Sequence, residues 1–131
     1  MNDLKICDAK VHMQCPKYTY ENSNDICESC MVGVSCVTHG SVLVSLDLEP
    51  GFWRSGPSSV RVYLCTHGAV ACAGGTGDGT SDEYPYCHTG YVGPLCAVCD
   101  KDYFRSWSST RCERCAAGES HVASMLVCFF L

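Results

Sequence analysis

The sequence predicts a small disulfide-rich fold, mostly irregular with short β-hairpins and with little or no helix outside the C-terminal apolar tail. Three observations carry this expectation. Thirteen cysteines in 131 residues fall in the range of secreted disulfide scaffolds. Glycines (12) and prolines (5) are scattered between those cysteines, which disfavours long helices. The only clear apolar periodicity, at residues 41–64, has strand spacing. The apolar fraction of 47 % includes the cysteines, so cross-links rather than one large interior are expected to hold several small modules in series.

Residues 7–36 read as a first cysteine-rich, repeat-like module with Cys7, Cys15, Cys27, Cys30 and Cys36. Tyr18 and Tyr20 alternate as in a short strand, and Asn22-Ser-Asn-Asp25 has turn composition. In residues 41–75, Val42, Val44, Leu46 and Leu48 alternate with Ser41, Leu43, Ser45 and Asp47, the pattern of a strand with one mostly apolar face. Pro50-Gly51 marks a turn, Phe52-Trp53-Arg54 follows, and Val60, Val62 and Leu64 alternate again up to Cys65. The expectation is a β-hairpin, or a two-strand unit with an irregular connection. It would be clipped by the Cys65–Cys72 region and covered by Phe52 and Trp53, since two strands alone are marginal in water.

Residues 73–83 carry four glycines with Asp78, Asp82 and Glu83 and read as a polar loop. Their spacing fits neither an EF-hand loop nor a glycine-rich nonapeptide repeat, so no calcium site is expected. Residues 84–115 form the closing module. Residues 116–131 end in Val122–Leu131, ten residues without a charge. That run is too short to span a bilayer by itself, and reads either as the juxtamembrane start of a transmembrane segment or as a short buried element.

Charge and targeting narrow the function classes. The formal charge is −5, and Lys and Arg form no basic stripe, so nucleic acid is not an expected partner. Residues 1–13 contain no apolar run of the kind a signal peptide needs. The five histidines (His12, His39, His67, His88, His121) are dispersed, with no local nucleophile or carboxylate pairing to suggest catalysis. Cys27-Glu-Ser-Cys30 lacks the βαβ setting of a thiol oxidoreductase.

The closing module holds the densest signal. Cys87-His-Thr-Gly90-Tyr91-Val-Gly93-Pro-Leu-Cys96 could close as a disulfide loop if Gly90 and Gly93 supply the permissive backbone that a tight return requires. Tyr91, between them, is placed to cover the bridge. A loop of this size stabilises by about 2.5–3 kcal/mol in the chain-entropy account, comparable to the net stability of a small module. The rival is zinc, because Cys96-x2-Cys99-x12-Cys112-x2-Cys115 is a four-cysteine ligand spacing. Zinc leaves both glycines without a role, and leaves the nine remaining cysteines, Cys87 among them, unexplained.

The C-x2-G-Y-x-G-x2-C run from Cys87 to Cys96 resembles the closing loop of epidermal-growth-factor-like (EGF-like) domains. Its continuation through Cys99, Tyr103-Phe104 and Cys112 resembles the laminin type. That resemblance implies the pairs Cys87–Cys96 and Cys99–Cys112. The longer string from Pro50 to Cys99 is similar to cysteine-rich ectodomains of large membrane proteins of protists and algae, where such a block precedes the membrane. Residues 15–36 resemble the short cysteine-rich repeats of ephrin-receptor and tumour-necrosis-factor-receptor ectodomains, without their usual glycine. Two departures stand out. Position 85 is proline where the EGF-like pattern has a cysteine, so the domain's first half is not recognisable. Asp102 occupies an expected glycine position.

Cys15 with Cys27 and Cys65 with Cys72 complete the expected disulfide pairs, although the EGF-like pattern leaves the second open. Thirteen is odd, and Cys128 in the apolar tail is the candidate unpaired cysteine. Cys7, Cys30, Cys36 and Cys115 are left without assigned partners. The expected function is that of a non-catalytic extracellular EGF-like module of a membrane protein, or of a secreted one. It would serve as a stalk or as an interaction region for a protein or glycan, without a cofactor, and anchored through a continuation of the C-terminal tail. The alternative is an intracellular zinc-binding interaction module built on Cys96, Cys99, Cys112 and Cys115.

Overall fold

A computed structural model describes residues 14–77 and 85–116. The expectations for Cys7, Cys128, the acidic part of the glycine loop and the Val122–Leu131 run lie outside the described residues.

The described chain is a series of very short antiparallel ribbons. The first pairs β1 (Thr19–Glu21) with β2 (Cys27–Ser29), Tyr20 opposite Glu28. The turn between them is built by Asn22, whose Oδ1 accepts the backbone N–H groups of Asn24 (2.8 Å) and Ile26 (3.1 Å). Such a side chain mimics a backbone turn, which explains the Asn22–Asp25 composition. Next, β3 (Val34–Ser35) pairs with β4 (Asp47–Leu48), and β5 (Phe52–Trp53) with β6 (Tyr63–Leu64). A single helical turn, α1 (Gly68–Ala71), fills the loop closed by Cys65 and Cys72. In the closing module β7 (Tyr91–Val92) pairs with β8 (Val98–Cys99), and β9 (Tyr103–Phe104) with β10 (Glu113–Arg114).

One expected strand is absent. Residues 43–45 form a 3-10 turn rather than a strand. Leu43, Leu46 and Leu48 are buried, whereas Val44 is 57 % exposed. A 3-10 turn eclipses positions i and i+3, so Leu43 and Leu46 share the inner side and the period-two reading of Val42, Val44 and Leu46 fails. The second alternating run, at 60–64, pairs through Tyr63–Leu64 with Phe52–Trp53 and not with residues 42–48. Phe52, Trp53 and Val62 pack against the buried cluster, while Val60 and Leu64 face solvent.

The apolar interior crosses the boundaries between these ribbons. One cluster joins Tyr20, Val34, Cys36, Leu43, Leu46, Leu48 and Tyr86. A second joins Cys65, Ala71, Cys72, Tyr91 and Cys96, with Cys87 and Cys112 at its edge. Trp53 packs against both. The closing module is also stitched to the middle by backbone bonds: Ala73 N–H donates to the Tyr86 carbonyl and His88 N–H to the Ala71 carbonyl, each at 2.8 Å.

Candidate functional site

The closing loop is a tight return held from both sides. Cys87 and Cys96 are joined by a disulfide with their Cα atoms 5.4 Å apart, inside the span such a bridge requires. Gly90 and Gly93 have φ of +91° and +79°, conformations that cost L-residues strain. Gly90 is also closely overlain, because a Cβ there would lie 2.7 Å from the ring of Tyr103. Tyr91 is buried in the cluster that contains Cys96. Its hydroxyl oxygen accepts the backbone N–H of Cys112 at 3.0 Å, so one tyrosine ties this loop to the next.

That next loop is closed by the disulfide between Cys99 and Cys112, Cα atoms 5.5 Å apart. Asp102, at the position where the laminin-type pattern has glycine, keeps the left-handed geometry with φ of +66°. Aspartate is among the few non-glycine residues that enter that region readily. Its carbonyl accepts the N–H of Cys115 at 2.8 Å. Arg105 reaches back across the loop: Nη1 donates to the Ala97 carbonyl at 3.3 Å, and Nη2 lies 3.6 Å from Cys112 Sγ.

The other candidate cysteines are placed as follows. Cys15 is bonded to Cys27 and Cys65 to Cys72. Cys30 and Cys36, which the sequence left unassigned, are bonded to each other. Cys115 is also disulfide-bonded. Cys96, Cys99, Cys112 and Cys115 therefore do not converge as four thiolates. A zinc ion at that spacing would require these bridges to be reduced. Among the described residues no group of three or more His, Cys, Asp or Glu side chains is arranged to hold a metal ion.

Two residues that the sequence did not mark organise the interior. Arg54 is 1 % exposed. Its Nε donates to the Tyr86 hydroxyl at 2.8 Å, and its two terminal nitrogens donate to the carbonyls of Leu43 and Leu46, each at 3.1 Å. Its guanidinium carbon also lies 5.7 Å from the centre of the Tyr86 ring, within cation–π reach. Tyr86 immediately follows Pro85, which stands where the EGF-like pattern has a cysteine. At that point the chain ties its closing loop to the preceding residues by a buried Arg–Tyr pair.

Electrostatics at the surface are modest. Burial first, and then the bond from its hydroxyl to Glu28 Oε2 (2.9 Å), push the Tyr20 phenol up from its ordinary value. Burial and the nearby Arg105 push His67 down. Trp107 stands apart, because at 98 % exposure its indole makes almost no contact with the rest of the chain. No local motif in the sequence singles it out.

Compared with protein-family models, with curated proteins and with solved structures, the chain matches none. The EGF-like resemblance of the closing loop therefore rests on its own residues. Among the described residues no helix is long and apolar enough to cross a membrane.

Proposed function

We propose that this chain is a non-catalytic, extracellular, EGF-like module of a membrane protein, serving as a stalk or an interaction region. The observation that supports it best is the set of five disulfides distributed along the described residues. Bridges at this density persist in oxidising compartments and are rare in a reducing cytosol. They also suit ribbons two or three residues long, which cannot stand alone in water. The EGF-like part of the reading is supported by the Cys87–Cys96 return, its two left-handed glycines, and Tyr91 covering the bridge.

Peptide mapping of the non-reduced protein by mass spectrometry tests this. The expected result is linked peptides containing Cys87–Cys96 and Cys99–Cys112, each bridge lowering the mass by two hydrogens. Alkylatable thiols at Cys96, Cys99, Cys112 and Cys115 together with bound zinc would overturn the proposal in favour of an intracellular zinc module.

A further inference from the structure

We propose that the loop from Arg105 to Arg111 is a binding site for an anionic polysaccharide, one bearing carboxylate or sulfate groups on its sugar rings. The inference deepens the extracellular interaction reading and rests on it. A large aromatic side chain left 98 % exposed at Trp107 is unusual, since tryptophan is ordinarily well buried. Its flat face is suited to the C–H face of a pyranose ring, which is apolar and slightly positive where the indole face is negative.

The surrounding chemistry fits the same ligand. Residues 105–111 read Arg-Ser-Trp-Ser-Ser-Thr-Arg, two cations and no carboxylate in a chain of formal charge −5. Guanidinium groups recognise carboxylates and sulfates through paired hydrogen bonds, and Arg111 is exposed. Ser108 and Thr110 are exposed as well and match sugar hydroxyls as donors and acceptors. Lys101 and Arg114 lie toward the other end of the β9–β10 ribbon, interspersed with Asp100, Asp102 and Glu113, so the unbalanced positive charge is that of the loop itself.

The loop is held ready for such a partner. Ser109 N–H donates to the Ser106 carbonyl at 3.0 Å, which fixes a turn with Trp107 and Ser108 at its corner. The Ser106 and Ser108 hydroxyl oxygens lie 3.3 Å apart, and the Arg111 N–H donates to Ser109 Oγ at 3.1 Å. The Cys99–Cys112 bridge closes the base, and Arg105 is pinned to Ala97. A loop already ordered loses less conformational entropy on binding.

The test measures binding of the purified, oxidised chain to immobilised heparin, polygalacturonate and neutral dextran at low and high salt. A protein of net charge −5 has no general attraction to polyanions, so retention reports a local site. The expected result is salt-sensitive binding to heparin, polygalacturonate or both, and none to dextran. The first two surfaces separate sulfate from carboxylate recognition. Trp107→Ala should weaken binding roughly tenfold, as loss of an aromatic anchor does, and Trp107→Phe should keep most of it. Arg111→Gln should lower both affinity and salt dependence. Because Trp107 packs against nothing, near-ultraviolet circular dichroism should show an unchanged fold. Failure of the native chain to bind either polyanion, or binding unaltered by Trp107→Ala, would overturn the site. Either result with the bridges intact leaves the extracellular reading standing, whereas free thiols in the peptide map would overturn that reading separately.

Discussion

Arg54 shows how much one side chain can carry in a fold with so little regular structure. A guanidinium taken out of water loses several kcal/mol of hydration. Here the compensation comes from two backbone carbonyls, a phenol oxygen and an aromatic ring rather than from a carboxylate. The two carbonyls belong to the first residue of the 43–45 turn and to Leu46, which caps it and whose own N–H reaches the Leu43 carbonyl at 3.4 Å. Arg54→Met keeps the length and apolar stem but removes the donor to the Leu46 carbonyl and to the Tyr86 hydroxyl, and leaves the Leu43 carbonyl with only the long Leu46 N–H bond of 3.4 Å. A loss of about 3 kcal/mol or more is expected, from the usual cost of stranding buried polar groups, and urea unfolding would measure it. In the Arg54→Met/Tyr86→Phe double variant the loss should be less than the sum of the two single losses, because the phenol oxygen is no longer stranded. None of this was legible in the sequence. Arginine is usually a surface residue, and no local pattern distinguishes a buried one. Asp102 was legible to a greater extent: a glycine was expected at that position, and the residue there does have a positive φ of +66°.

At the scale of elements, legibility depended on whether the constraint was local. The Cys87–Cys96 return could be read because its cysteines, its two glycines and its tyrosine all lie within ten positions, and the backbone need they imply is the one observed. The Asn22 turn could be read for the same reason. Residues 42–48 depart from their alternation because the 3-10 turn at Leu43–Ser45 brings Leu43 and Leu46 to one side. The groups that meet this turn, Arg54 on its carbonyls and Tyr86 in its cluster, come from elsewhere in the chain. The β5–β6 ribbon lies between these cases, its strand composition visible and its pairing partner not. The closing loop gives the sharpest test of the local argument. Gly90→Ala adds a Cβ 2.7 Å from the Tyr103 ring at a φ of +91°. Left-handed backbone costs an L-residue about 1–2 kcal/mol before any displacement of the ring. The variant should therefore lose about 2 kcal/mol or more, and should show weakened hydrogen-exchange protection at Tyr91 and Cys112, whose bond depends on the same packing.

For the molecule as a whole, the question is whether the ribbons are independent beads held by their own bridges or parts of one cooperative unit. The five bridges within the described residues are local: those from Cys15 to Cys27, Cys30 to Cys36, Cys65 to Cys72, Cys87 to Cys96 and Cys99 to Cys112 each close a loop within a single stretch. They lower the entropy of the unfolded chain, and those at Cys30–Cys36 and Cys99–Cys112 tie neighbouring ribbons, but none of these five joins the two buried clusters. That role falls to side chains reaching across, and Trp53 is central among them. It lies in β5, opposite Tyr63 with ring centres 6.4 Å apart, and packs against both buried clusters. If the two clusters form one unit, Trp53→Ala should loosen both. Removing a large aromatic from such a position typically costs 3–5 kcal/mol, less here because Trp53 is only partly buried, so about 2–3 kcal/mol is expected. Hydrogen exchange should show protection falling together at Leu46 and Leu48 in one cluster and at Tyr91 and Cys96 in the other. Beads on a string would give a different result, with protection lost around Trp53 and retained in the Cys87–Cys96 loop, whose bridge and glycine turn would be untouched. Cooperative loss would mean that the Arg105–Arg111 loop is presented on a base oriented through Trp53, so that changes in the middle of the chain reach a surface they do not touch.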